Sequence, residues 1–258
     1  MLIDTHAHVM DDKFSADFDL VLKRAQDAGV DRIINVGCGL DFTEKSLEMA
    51  GRYNFLYATV GLHPYDAADC SDDLIAHWQR LAYENDKIVA IGETGLDYVK
   101  ANVSHEIQKQ SFRSHLELAK ASGLPVIVHN RGADDDVFEM LTEFPHLDAV
   151  FHCYGSDLNF AEKVWAAGYI TSFSGIITFP NALELHRVVM AAPMGQFFVE
   201  TDCPYLAPQA YRGQRNEPSF VVEVAKKVAE LKGIPFEEVV KASTKNAERV
   251  FTRMLSHS

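Results

Sequence analysis

Eight short apolar runs rich in β-branched residues recur near positions 2, 32, 56, 88, 125, 148, 169 and 197, and most are followed by a stretch with helical spacing. Spread over 258 residues, eight such units match the size and cadence of a (β/α)8 barrel, also called a TIM barrel. Helical spacing over 18–28, 104–122 and 157–167 stops at Gly29, Gly123 and Gly168, which read as C-caps before the next strand. A doubly wound open sheet is the main competitor. It loses support because Val36-Gly37-Cys38-Gly39 lacks the later glycine of a dinucleotide loop and the chain has no Walker sequence. No nucleotide cofactor is expected.

No linker, internal repeat or low-complexity segment interrupts the chain, so residues 1–258 read as one domain. The longest non-periodic stretch, 204–218, carries three prolines, Arg212, Arg215 and Asn216, and in a barrel it would lie over the catalytic mouth. Two helical stretches follow, 219–231 and 235–251, the second expected to break around Ser243-Thr244.

Charge and cysteine usage narrow the function. Lys+Arg 24 against Asp+Glu 37 gives a net charge of −13, which would repel phosphate backbones and excludes a protein that coats DNA. No apolar run approaches the roughly 20 residues needed to cross a bilayer. Met1-Leu2-Ile3-Asp4 has neither the basic start nor the apolar run of a secretory signal. Cys38, Cys70, Cys153 and Cys203 show no CxxC spacing, and they read as reduced thiols buried as small apolar residues in a cytoplasmic protein.

The strand ends carry the chemistry. The first run closes Asp4-Thr5-His6-Ala7-His8, where alternation puts His6 and His8 on one face, able to grip one ion. Taken alone, the pair is as consistent with two satisfied core histidines. The fourth run ends at Glu93, the fifth at His129, the sixth at His152 and the eighth at Asp202. In a barrel those ends share one face, so the six residues would converge. Four histidines and two carboxylates can hold two divalent ions, with a water between them ionised to hydroxide near neutral pH. His63, in Gly61-Leu62-His63-Pro64, reads either as an orienting partner or as a proton donor to the leaving group, with a structural role equally open. Arg131, two residues past His129, could clamp an anionic oxygen, as could Arg215 and Asn216 from the long loop. Arg212 reads as a solvated surface residue. Histidines 77, 105, 115, 146, 186 and 257 fall in helices, in loops or at the tail, where a solvated side chain is expected.

An ordered set of motifs resembles the TatD-type metal-dependent deoxyribonucleases of the amidohydrolase superfamily. It comprises IDTHAH at the start, GLHP at 61–64, GETGLDY at 92–98, PVIVHNR at 125–131, FHC at 151–153, FSGIITF at 173–179, ETDCPYLAP at 200–208, RGQRNEP at 212–218 and the closing STKNAERVF. The resemblance implies one metal held by His6, His8 and Asp202, a second by His129 and His152, and Glu93 reaching both. Tyr154-Gly155-Ser156, Cys203 and Gln214 depart from the usual pattern, and none is a proposed ligand.

The resemblance implies a divalent-metal hydrolase that cleaves DNA phosphodiesters from an end or on single strands, with DNA as a transient substrate. Asp202, Glu93 and His63 are the catalytic candidates, and His63, Arg131, Arg215 and Asn216 the substrate-binding ones. The same ligands would serve an ester or amide hydrolase, such as a D-aminoacyl-tRNA deacylase acting on aminoacyl-tRNA. Mixed N/O ligation suits Zn, Mg, Mn or Ni. No obligate protein partner and no membrane association are inferred.

Overall fold

The computed structural model describes residues 1–257, without the side chains of 256 and 257, so the reading of His257 lies outside the described residues. In chain order the elements are β1 (Leu2–Ala7), α1 (Phe18–Asp27), β2 (Val30–Asn35), α2 (Leu40–Arg52), β3 (Leu56–Val60), α3 (Asp72–Glu84), β4 (Ile88–Asp97), α4 (His105–Ser122), β5 (Val126–Arg131), α5 (Asp134–Thr142), β6 (Ala149–Phe151), α6 (Leu158–Ala166), β7 (Ile170–Phe173), α7 (Leu183–Ala191), β8 (Phe197–Val199), α8 (Val221–Lys232) and α9 (Phe236–Val250). The strands form a single sheet in the order β1 to β8, and a parallel bridge between Ala7 and Cys203 joins its last edge to its first. This is the expected (β/α)8 barrel. No helix of the described residues is long and apolar enough to cross a membrane.

Contacts divide the chain into two compact units. The first combines Met1–Asn35 with His152–Arg249. Its strands β1, β7 and β8 are buried along their whole length, as parallel strands covered on both faces must be. Asp157 caps α6 by accepting from Phe160 N at 2.8 Å. Gly29 and Gly168 take φ of 87° and 88°, the left-handed conformation that stops a helix and that glycine adopts without steric cost. The expected break in the last helix is absent, and α9 runs unbroken. Ser243 and Thr244 turn their hydroxyls outward from the helix: Ser243 Oγ accepts from Val199 N at 3.1 Å and Thr244 Oγ1 donates to Met1 O at 2.9 Å. Ser243 bonds to β8 and Thr244 to the residue before β1, so neither competes with the helix's own backbone.

The second unit combines Val36–Phe151 with the stretch from Val250 onward. Ser71 and Ser104 cap α3 and α4, and Gly123 ends α4 at φ 63°. Here β4 departs from expectation. Rather than ending at Glu93 it continues to Asp97, with Gly95 opposite His129 and Asp97 opposite Arg131 on β5, after a register shift between Ile91 and Thr94. A Cβ on Gly95 would meet His129 O at 2.0 Å, so only glycine lets β4 press onto β5 at this point. His115 also departs from expectation, being buried within α4 rather than solvated. Its Nδ1 donates to Ser111 O at 2.7 Å and its Nε2 accepts from Leu62 N at 3.1 Å, which fixes the loop leading into His63. Burial lowers its pKa to about 4 because the charged ring would be desolvated.

All four cysteines are free. Only Cys203 is fully buried, whereas Cys38, Cys70 and Cys153 are half-buried. The expectation of four buried thiols is corrected accordingly: the other three sit in turns at strand ends or helix starts, where neighbouring loops leave part of the side chain uncovered.

Candidate metal centre

In the first unit, His6 is the fifth residue of β1, and His8 lies one residue past the strand's end. Asp202 follows β8 in a turn held by Asp202 N donating to His6 O at 2.8 Å and His8 N donating to Cys203 O at 2.8 Å. Its φ of 57° is left-handed, a region that Asp tolerates better than most residues. His152 comes directly after β6, and its ring stacks on that of His6 with centroids 4.0 Å apart. One ligand atom from each of His6, His152 and Asp202 falls within 4.8 Å of the others. His8 Nε2 is 3.2 Å from His6 Nε2 and 3.5 Å from Asp202 Oδ1. Burial pushes the Asp202 carboxyl up, but the facing His8, His6 and His152 outweigh it and hold the group below its ordinary range.

Two buried carboxylates brace this set. Glu200 Oε1 accepts from Cys153 N at 2.6 Å and lies 3.5 Å from His152 Nδ1, which leaves Nε2 as the ligating atom of that ring. Asp4 accepts from Thr201 N at 2.9 Å and from Thr201 Oγ1 at 2.6 Å, tying β1 to the turn that carries Asp202. Burial pushes the Asp4 carboxyl up to about 8.

In the second unit, one ligand atom from each of His63, Glu93 and His129 likewise falls within 4.8 Å of the others. His129 Nδ1 is 2.8 Å from Glu93 Oε1, while its Nε2 is 3.2 Å from Asp97 Oδ2. Asp97 also accepts from Val99 N and Lys100 N. A neutral His129 that donates its Nε2 hydrogen to Asp97 presents Nδ1 beside Glu93 Oε1, and a divalent cation can take both as ligands. The ring nitrogens of His6 and His8, 3.2 Å apart beside Asp202, offer a second set of such donors. Mixed imidazole and carboxylate donors at these separations therefore fit divalent metal ions.

The candidate substrate residues divide. Arg131 ends β5 exposed, and among the described residues no ion pair or side-chain hydrogen bond engages its guanidinium. Arg215 is turned to the start of α1, with Nη1 donating to Lys13 O and Asp17 Oδ1 at 2.7 Å each, and its guanidinium over the Phe14 ring at 4.6 Å. Asn216 is buried: its amide donates to Thr201 O and Tyr205 O and its oxygen accepts from Glu217 N. The expected phosphate contacts of Arg215 and Asn216 are replaced by bonds that brace the loop itself. Arg212 is exposed, as expected, and rests over Phe179 at 4.7 Å.

Asp4, Asp97 and Glu200 contact candidate ligands or the turn that carries one, and the sequence did not single them out. A signal existed: each lies an even number of residues from a candidate ligand (Asp4 and His6, Glu93 and Asp97, Glu200 and Asp202), and even spacing shares a face on extended chain.

A family model described as TatD-related DNase matches residues 3–252. A Bacillus subtilis protein called the uncharacterized metal-dependent hydrolase YabD is 40% identical over 253 residues, which cover 97% of this chain and 99% of its own. The Escherichia coli metal-dependent hydrolase YcfH, also called uncharacterized, is 36% identical over 255 residues, covering 97% of this chain and 95% of its own. The crystal structure of YjjV, a TatD homologue from Escherichia coli, is similar with a TM-score of 0.92 at 32% identity, covering 97% of this chain and 98% of that one.

Proposed function

The chain belongs to the TatD-related DNase family, it is a metal-dependent hydrolase as its relatives are named, and we propose that its substrate is DNA, cleaved at phosphodiester bonds from an end or on single strands. Residues 1–258 act as one hydrolase domain in which His6, His8, Glu93, His129, His152 and Asp202 hold two divalent ions. Bound there, the ions supply Lewis acidity and positive charge at a phosphate. Four free cysteines suit a reducing, cytoplasmic setting.

The observation that carries the phosphodiester reading is Arg131. An exposed guanidinium without an ion pair, two residues from His129, suits a substrate with a phosphate beside the scissile bond. His63 supplies the leaving group's proton. Its Nδ1 accepts from Tyr65 N at 3.2 Å, so the neutral ring carries its hydrogen on Nε2, the nitrogen that faces Glu93 and His129. Asp202 accepts the proton of the attacking water at Oδ1. A net charge of −13 keeps binding weak and transient, which suits an enzyme that must release its strand.

The test sets single-stranded oligonucleotides, unblocked or blocked at one end at a time, beside mischarged tRNA, with divalent metal present. Cleavage of the oligonucleotides, lost in Glu93→Gln, is expected. Hydrolysis of the aminoacyl ester alone would replace the DNA reading with the deacylase one.

A further inference from the structure

Tyr65 belongs to the short 3-10 turn Pro64–Asp69 that follows His63, and it keeps 44% of its surface exposed. Its orientation is nevertheless fixed. The ring meets that of His63 edge to face, with centroids 4.3 Å apart and planes at 87°, and its backbone N–H is bonded to the same imidazole. Asp97 and Arg131 lie opposite one another on β4 and β5, and burial first, then the charge of Asp97, raise the phenol's pKa against the opposing charge of Arg131.

Tyrosines that pack the core of this unit are covered. Tyr57, on β3 of the same unit, is 1% exposed with its hydroxyl bonded to Met254 O. Tyr205, the comparably exposed tyrosine of the other unit, has Lys13 over its ring at 4.4 Å and its hydroxyl on Asp11. Tyr65 combines an open, oriented aromatic surface with an unpaired guanidinium and the His63–Glu93–His129 cluster.

The geometry points to a nucleobase subsite in which the Tyr65 ring stacks on the base next to the scissile phosphate while Arg131 pairs with a phosphate of the same strand. The assignment rests on the phosphodiester reading above and deepens it to a subsite: one unpaired base of the strand is held at this position. A stacking face reads no base edge, so all four bases are accepted and a paired, stacked duplex is disfavoured. The ring does the binding and the hydroxyl only orients it, so Phe can stand in for Tyr and Leu cannot.

Binding is measured without turnover on Glu93→Gln protein, using anisotropy of a labelled single-stranded oligonucleotide and quenching of 2-aminopurine placed at its cleavable end. Tyr65→Leu should weaken binding about tenfold and abolish the quench, and Tyr65→Phe should retain both. An abasic residue at the same position should cost the Tyr65 protein about the same tenfold and cost Tyr65→Leu nothing further, because the two changes remove one contact. Arg131→Ala should weaken intact and abasic strands equally. Equal losses on intact and abasic strands in Tyr65→Leu, or no loss on either, overturn the subsite. Abasic discrimination in the Tyr65 protein alone keeps the question decidable if the leucine variant does not fold. Failure of the phosphodiester reading looks different: the metal-loaded protein would then cleave neither oligonucleotide while hydrolysing an aminoacyl ester.

Discussion

Asp97 Oδ2 lies 3.2 Å from His129 Nε2, on the side of the ring away from Glu93, so an Nε2–H donated to Asp97 aims Nδ1 at the Glu93 carboxylate. Burial pushes the Asp97 carboxyl up, but the bonds from His129, Lys100 and Val99 outweigh it and hold the group well below the usual carboxylate range. The carboxylate is thus a fixed acceptor. Asp97→Asn keeps an oxygen for the backbone N–H groups and loses the charge that sets the ring, so metal affinity should fall about 10- to 100-fold. A competitive chelator titration measures this, and an unchanged affinity with native circular dichroism would remove Asp97 from that role.

Metal removal should inactivate the enzyme reversibly. Two clusters of imidazole and carboxylate, each with three ligand atoms within 4.8 Å, offer a cation ligands that the unfolded chain does not bring together. Exhaustive chelation should therefore abolish hydrolysis and lower the melting temperature, and a divalent ion should restore both, since a ligand that binds only the folded state adds to stability. Glu93→Gln should stay folded and remain inactive after metal is returned. Full turnover after chelation, with metal analysis confirming its loss, contradicts the reading.

His115 should make stability fall in mild acid. Its folded pKa is about 4 against 6.5 for the free side chain, so between those values the unfolded chain binds a proton that the folded chain refuses. Stability from this group is complete above about pH 6.5, declines as pH falls, and levels below about pH 4, a loss of about 3 kcal/mol. His115→Gln lacks the titration, so the stability gap between the two proteins should close by that amount from pH 7 to pH 4. Urea unfolding at several pH values reads the gap, and a constant gap would show that His115 is protonated in the fold.

How much of this was legible in the sequence depends on what sets each feature. The barrel was visible because strand and helix spacing are local properties, and eight alternations leave few topologies. Ligand candidates at strand ends were visible for the same reason: His6, Glu93, His129, His152 and Asp202 each close or follow an apolar run. The course of β4 past Glu93 was hidden, because Gly95 reads as a strand stop until its approach to His129 O is known. His115 was hidden because its polarity says nothing of the two backbone groups that satisfy it. The ion pair of Arg215 was hidden for a related cause. A cation in a long loop near an active site looks available for substrate, and the Asp17 that claims it lies 198 positions away in the chain.

That claim makes the final expectation a structural one. Asp17 takes both Arg215 nitrogens, at 2.7 and 2.9 Å, and also Arg24 Nη2 at 3.0 Å, while Arg24 forks onto Glu217. The two guanidinium groups, Arg215's bonds first, hold the Asp17 carboxyl well below its ordinary range. The group is a depressed acid, so its contribution is present above the unfolded value near 3.8 and is lost as pH falls through the lower, folded one. Arg215→Ala removes the larger share of that support together with the stack on Phe14. At neutral pH it should cost about 1 kcal/mol, as part-exposed pairs do, and the deficit should shrink in strong acid. Because the guanidinium is already engaged, KM for oligonucleotides should change less than twofold, in contrast to Arg131→Ala. A tenfold rise in KM with no loss of stability would mean that Arg215 leaves Asp17 to meet the substrate.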